Sequence, residues 1–177
     1  MTNVFRCNLE VRDYELDSQG IVNNSVYLNY LEHARHLFLR DAGQDFNQWQ
    51  KEGIDPVVRR IELDYVRSLK GGDWFDVETY VEKKGHVRFL FHQRICRVWP
   101  AGLERQGIED GGTADRDGMA EDGGWVKNCR TTEVGAMIEG REEVLRAVIT
   151  VVFVQSGRPV RPPDVMLDAL EGYMKRS

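Results

Sequence analysis

Between residues 17 and 38 an aspartate in a glycine turn is followed by a run of helix-capping residues and then by a long apolar stripe. Asp17-Ser18-Gln19-Gly20 is the turn and Asn23-Asn24-Ser25 the run, while Val26, Tyr27, Tyr30, Leu31, Ala34, Leu37 and Phe38 make the stripe. This spacing predicts a buried helix of about five turns that starts at Asn23–Ser25 and ends near Gly43. The first N–H groups of such a helix lack intrahelical partners and carry the positive end of its dipole, so they can stabilise a developing oxyanion. A carboxylate beside them can attack an acyl carbon or activate a water. The competing reading is that Asp17 only caps its turn, as turn aspartates commonly do.

Other chemistries lack their residues. There is no GxGxxG and no GxxxxGK[ST], so no nucleotide cofactor is expected. Ser18-Gln19-Gly20 supplies only the second half of a GxSxG nucleophile elbow, with Leu16 at the first glycine's position. No HExxH occurs, and His33 with His36 is a pair where zinc needs further ligands, so no metal site is expected. Cys7, Cys96 and Cys129 are odd in number, widely spaced and without a CxxC. They suggest neither a disulfide framework nor a zinc knuckle, and point to a reduced, cytoplasmic protein. With 24 Lys plus Arg against 29 Asp plus Glu, the net charge is −5, which argues against a general nucleic-acid binder. Met1 to Arg12 lack the pattern of a secretory signal, and no apolar run approaches the ~20 residues of a membrane span.

The elements that must hold the turn and helix follow from periodicity. Val4 to Leu16 reads as a strand, and Phe46 to Lys51 as a short helix. Ile61–Tyr65, Phe75–Val81 and Val87–Ile95 alternate apolar with polar residues, which predicts three strands joined by hairpin-like turns at Gly71-Gly72-Asp73 and Lys84-Gly85-His86. Residues from about 100 to 140 are rich in Gly, Asp and Glu, the composition of a long mobile insertion, with Trp125 to Ile138 open between a strand pair and irregular structure. Val144 to Gln155 is nearly continuous Val, Ile, Thr and Phe, as in a central strand covered on both faces. After Pro159, Pro162 and Pro163, residues 164–175 predict a terminal helix. Its 177 residues fit a single α+β domain: one long helix covering an antiparallel sheet.

The stretch from Asp17 to Arg35 resembles the signature of the hotdog-fold thioesterases of the 4-hydroxybenzoyl-CoA thioesterase family: an Asp, two residues, a Gly, then Val22-x-x-x-x-Tyr27 and a helix carrying Glu32-x-Ala34-Arg35. Val11-Arg-Asp-Tyr-Glu-Leu-Asp17 and Val22-Asn23-Asn24 also resemble the plant-type single-hotdog acyl-ACP thioesterases. Ile61-Glu-Leu-Asp-Tyr65, Gly72-Asp73 and Gly157-Arg-Pro-Val-Arg161-Pro fall where that family has strands and a closing motif. The similarity covers nearly everything except residues 100 to 140.

The resemblance implies a hotdog fold, an antiparallel sheet wrapped around one long helix. It also implies a homodimer or dimer of dimers with sites at the subunit interface, and hydrolysis of an acyl-CoA or acyl-ACP. Asp17 is expected as nucleophile or general base and the Asn24 backbone N–H as oxyanion donor. Gly20, Val22, Asn23, Tyr27, Leu31, Val58 and Arg59 are expected around the substrate, and Lys83, Lys84, Arg88, Arg158 and Arg161 at CoA or phosphopantetheine phosphates. Glu32 is expected to pair with Arg35 or the opposite subunit. Two departures narrow the chemistry. Ile21 stands where the larger plant enzymes carry a histidine, and Val22 stands where enoyl thioester hydratases need one. A non-catalytic acyl-thioester binder on the same fold is the alternative.

Overall fold

The computed structural model describes residues 3–44, 46–99, 128–133 and 141–174. In chain order these form β1 (Asn3–Glu10), a 3-10 turn (Asp13–Glu15), α1 (Asn24–Asp41), α2 (Phe46–Lys51), β2 (Ile54–Tyr65), β3 (Trp74–Lys84) and β4 (Arg88–Val98). They continue with β5 (Asn128–Glu133), β6 (Arg141–Gln155), β7 (Arg158–Pro159), α3 (Asp164–Leu170) and a second 3-10 turn (Glu171–Tyr173). The strands make one antiparallel sheet in the order β2-β6-β4-β3-β1-β5, with β7 added to β6.

Helix α1 forms where the apolar stripe and its caps require it. Asn23 is the N-cap, and its side chain accepts the Ser25 N–H at 3.0 Å. At the other end Gly43, at φ +72°, takes the left-handed position that closes a helix, and the Gln44 and Gly43 N–H groups bond back to Leu39 and Arg40 carbonyls at 2.9 Å. The stripe of Tyr27, Tyr30, Leu31, Ala34, Phe38 and Leu39 is buried against the sheet. Alternate sheet residues meet it: Phe5 and Cys7, Phe75 and Val77, Phe91 and Ile95, and Leu145, Ile149 and Phe153. Inside this core Gln93 links three elements. It accepts from Arg35 Nη1 at 2.9 Å and donates to the Leu31 carbonyl and to Thr79 Oγ1, both at 3.0 Å. Arg35 therefore turns inward to Gln93, while Glu32 stays exposed on the outer side of the helix.

The α+β hotdog expectation is met, with four differences. The N-terminal strand ends at Glu10 rather than Leu16, because residues 13–15 tighten into a 3-10 turn. Gly71-Gly72-Asp73 is not a hairpin: β2 pairs with β6, and β3 with β1 and β4, so the connection 66–73 crosses the sheet. Lys84-Gly85-His86 is the hairpin of β3 and β4, with Lys84 opposite Arg88. Strand β6 is interior but covered fully on one face only. Leu145, Ala147, Ile149 and Val151 are buried, whereas Arg146 is exposed and Val148 and Thr150 half-buried. Within the expected 100–140 insertion, β5 pairs with β1 from Asn3↔Glu133 to Asn8↔Asn128. The rest of that insertion lies outside the described residues.

Candidate active site

Asp17 stands at the tip of a small hairpin that leads into α1. The Asn23 N–H bonds to the Glu15 carbonyl at 3.0 Å and the Asp17 N–H to the Ile21 carbonyl at 2.8 Å, while Leu16 bridges Val22. The turn closes with the Gly20 N–H on the Asp17 carbonyl at 3.0 Å, and Gly20 has φ +73°, which only glycine adopts without strain. Asp17 Oδ1 accepts the Gln19 N–H at 2.8 Å and the Ile21 N–H at 3.4 Å. The half-buried carboxylate is thus oriented through one oxygen by its own turn. This is the capping role that the local sequence allowed, and it leaves Oδ2 for other work.

The crossing connection seats this hairpin on the fold. The Val22 N–H bonds to the Leu69 carbonyl at 2.9 Å, and Ile21 bridges Lys70. Helix α1 begins two bonds further along, at Asn24. Among the described residues the Asn24 N–H has no hydrogen-bond partner, while the Asn24 carbonyl accepts from the Tyr65 hydroxyl at 3.1 Å. An aspartate oxygen and an unpaired N–H at the positive end of an 18-residue helix therefore flank the same short segment. Gly20, Asn23 and Asn24 are exposed there, and Val22 is buried beneath them.

Tyr27 and Leu31 lie in the core under α1 rather than along an open surface. Tyr27 is 2% exposed, its oxygen accepts the Leu69 N–H at 2.9 Å, and burial raises its pKa above the ordinary phenol value. The open space next to the helix is bounded one face round, by Val26, Asn29, Tyr30 and His33 with Leu9 and Glu15, as a cavity of about 470 Å³. Two of its polar walls are Glu15, which the sequence did not single out, and His33, which it weighed only as half of a metal pair with His36. Glu15 is 6% exposed, and its Oε2 accepts the Arg12 N–H at 2.7 Å and the Tyr30 hydroxyl at 2.5 Å. His33 Nε2 is buried without a partner, and burial, with Arg40 and His36 near, lowers the pKa of its ring. Among the described residues no three His, Cys, Asp or Glu side chains gather as metal ligands would.

The basic residues divide. Arg59, Lys84 and Arg88 come together with Arg60 on the outer face of the sheet, around a groove of about 440 Å³ floored by Leu90, Val148 and Thr150. Glu62 in the same groove pairs with Arg60 at 2.8 Å. Lys83 falls one residue out of step with Lys84 and so belongs to the opposite face of β3. Arg158 is exposed in β7, and Arg161 pairs with Asp164 at 2.7 Å; neither lines this groove. Val58 is exposed on β2, with Val57, Ile61, Tyr65 and Val66 beside it along what is, among the described residues, an edge of the sheet.

A hotdog-type α+β domain with a carboxylate turn before the N-terminus of its long helix is the class these features define. The chain belongs to the thioesterase superfamily, whose sequence pattern matches residues 19–98. It is 37% identical over 90 residues to the chloroplastic acyl-acyl carrier protein thioesterase ATL2 of Arabidopsis thaliana, covering 51% of this chain and 48% of that one. It is 30% identical over 100 residues to the acyl-CoA thioesterase YbgC of Haemophilus influenzae, covering 55% of this chain and 72% of that one. Its fold matches the crystal structure of a mutant 4-hydroxybenzoyl-CoA thioesterase complexed with 4-hydroxybenzoyl-CoA, with a TM-score of 0.68 and 14% identity over 94% of this chain and 98% of that one. The chain spans about half the length of the plant relatives it matches. Among the described residues no helix is long and apolar enough to cross a membrane.

Proposed function

We propose that this domain hydrolyses an acyl thioester of CoA or of an acyl carrier protein. The observation that carries the reading is the pairing of the Asp17 carboxylate, oriented through Oδ1 alone, with the unpartnered Asn24 N–H at the start of α1. In this mechanism the Asn24 N–H polarises the thioester carbonyl and stabilises the oxyanion as it forms. Asp17 either attacks the carbonyl carbon, giving an anhydride that water opens, or takes a proton from the attacking water. Both routes consume one water and release the free acid and the thiol. A thiolate leaves without strong acid assistance because a thiol pKa is only about 8.5. No serine, histidine or metal is needed for these steps.

Two surfaces support a thioester substrate on a dimer. Arg59, Arg60, Lys84 and Arg88 offer the cationic groove that CoA or phosphopantetheine phosphates require. The β2 edge exposes Val57, Val58, Ile61 and Tyr65, and on this reading a second copy of this chain pairs with it antiparallel and buries them. Tyr65, which touches Asn24, would then lie against the beginning of the partner strand, so the oxyanion end of α1 would face the subunit interface. The test is thiol release, followed with a thiol reagent, across acyl-CoA and acyl-ACP panels of varied chain length. Turnover on any member is the expected result, and binding of acyl-CoA without thiol release from either panel would reduce the protein to an acyl-thioester binder.

A further inference from the structure

We propose that Glu15 and Tyr30 form a clamp that positions Asp17, a role that rests on the hydrolytic reading above. The hairpin bearing Asp17 has arms of only three residues, 15–17 and 21–23, and a two-stranded ribbon of that size does not hold its own orientation in water. Its backbone bonds tie one arm to the other, and Val22 ties the second arm to Leu69. The first arm, which ends in Asp17, is fastened to the helix by a side chain. Glu15, two residues before Asp17, sends its carboxylate into the protein, where Oε2 is shared by the Arg12 N–H at 2.7 Å and the Tyr30 hydroxyl at 2.5 Å.

The other end of the clamp is rigid. Tyr30 is 6% exposed, and its ring packs on Phe75 at 4.7 Å and edge-on to Tyr27 at 6.1 Å between centroids. Burial and the Glu15 carboxylate drive the Tyr30 pKa far above the ordinary phenol value, so the hydroxyl stays a donor at every working pH. Tyr30 also belongs to the helix whose first N–H is the oxyanion donor. The clamp therefore fixes the Asp17 arm to the same body that carries Asn24, and so sets the separation between attacking oxygen and oxyanion donor. Positional errors of about 1 Å between reacting groups cost ~10²-fold in rate. A clamp of this kind shows itself in turnover rather than in substrate affinity.

The experiment uses Tyr30→Phe, which keeps the ring packing and removes only the hydroxyl. The expected result is a kcat lower by ~10- to 100-fold with KM within about twofold. The double variant Asp17→Asn, Tyr30→Phe should be no slower than Asp17→Asn alone, a non-additivity that a purely structural tyrosine does not produce. Glu15→Ala should reproduce the loss, and Glu15→Gln, whose amide oxygen can accept both bonds, should restore most of it. Hydrogen exchange gives a readout that needs no substrate. In Tyr30→Phe the Asp17 and Asn23 amides should exchange faster while those of β6 do not change. A folded Tyr30→Phe protein with wild-type kcat and unchanged exchange at Asp17 and Asn23 overturns the clamp. If the wild type releases no thiol from any substrate, the hydrolytic reading fails by itself, and the exchange result alone decides whether the clamp exists.

Discussion

Glu78 gives the sharpest quantitative expectation for the stability of this fold. It lies on the outer face of β3 with only 6% of its side chain exposed, ringed by three guanidinium groups. Arg6 reaches Oε1 at 2.8 Å, Arg94 reaches Oε2 at 2.6 Å, and Arg141 bonds both Oε1 and the neighbouring Asp76. Burial by itself would raise the Glu78 pKa; the bonds from Arg94, Arg141 and Arg6 outweigh it and carry the value from an ordinary 4.5 down to about 2. At ~1.4 kcal/mol per tenfold step in acidity, the ionised form contributes about 3 kcal/mol to folding. Because the folded pKa lies below the unfolded one, this stability is fully present above about pH 5 and is lost as the pH falls through 4.5 toward 2. Glu78→Gln keeps the shape and cannot ionise. In urea unfolding, the wild type should exceed Glu78→Gln by about 3 kcal/mol near pH 7, and the gap should shrink below about 1 kcal/mol near pH 2.5. A gap that stays constant over this range would show that the three arginines do not hold Glu78 ionised, and would refute the reasoning.

Three further outcomes test the site and the assembly. Asp17→Asn should lower kcat by ~10²-fold or more in thiol release, with a melting temperature near wild type because the amide oxygen still accepts the Gln19 and Ile21 N–H groups; near-wild-type turnover would return Asp17 to a capping role. Val58→Asp with Ile61→Asp should shift sedimentation to a 20.4 kDa species by placing charge on the apolar β2 edge, and a wild type that is itself an active monomer would remove the dimer. Lys84→Ala with Arg88→Ala should raise KM for an acyl-CoA by about tenfold at unchanged kcat, with a smaller effect at high salt, as screening of phosphate contacts requires.

The helix, its caps and most strand positions could be read from periodicity because each depends on residues close in the chain. Pairing could not. Gly71-Gly72-Asp73 and Lys84-Gly85-His86 have the same turn chemistry, yet only the second joins neighbours, since β2 finds its partner in β6, far along the chain. A turn signal reports local backbone freedom; the partner is chosen by which edges bring matching apolar faces to the core. Strand β5 was illegible for a related reason. Asn128-Cys129-Arg130-Thr131-Thr132-Glu133 has almost no apolar alternation, and its place depends on the backbone ladder offered by β1.

The same division runs through the candidate site. Asp17 and Asn24 are seven residues apart in one turn-to-helix segment, so their types and order identify them before any fold is known. Glu15 and Tyr30 escape that reading because each has a sufficient local explanation, one as a polar residue of the expected Val4–Leu16 strand and the other as part of the apolar stripe. Only when the 3-10 turn folds back onto α1 do the carboxylate and the hydroxyl meet. The cationic groove depends on strand parity as well. Lys83 and Lys84 are chemically equivalent in the chain, and the buried Val77, Thr79 and Val81 assign the odd positions of β3 to the core side. Lys84 must therefore face outward with its cross-strand partner Arg88, and the sheet register brings Arg60, opposite Thr150 of β6, onto that same face. On the proposed function, phosphate recognition would depend on the sheet's register and acyl-transfer chemistry on the local Asp17–Asn24 motif, so substitutions that shift the register of β2 should weaken substrate binding while leaving the hydrogen bonds of the Asp17 turn intact.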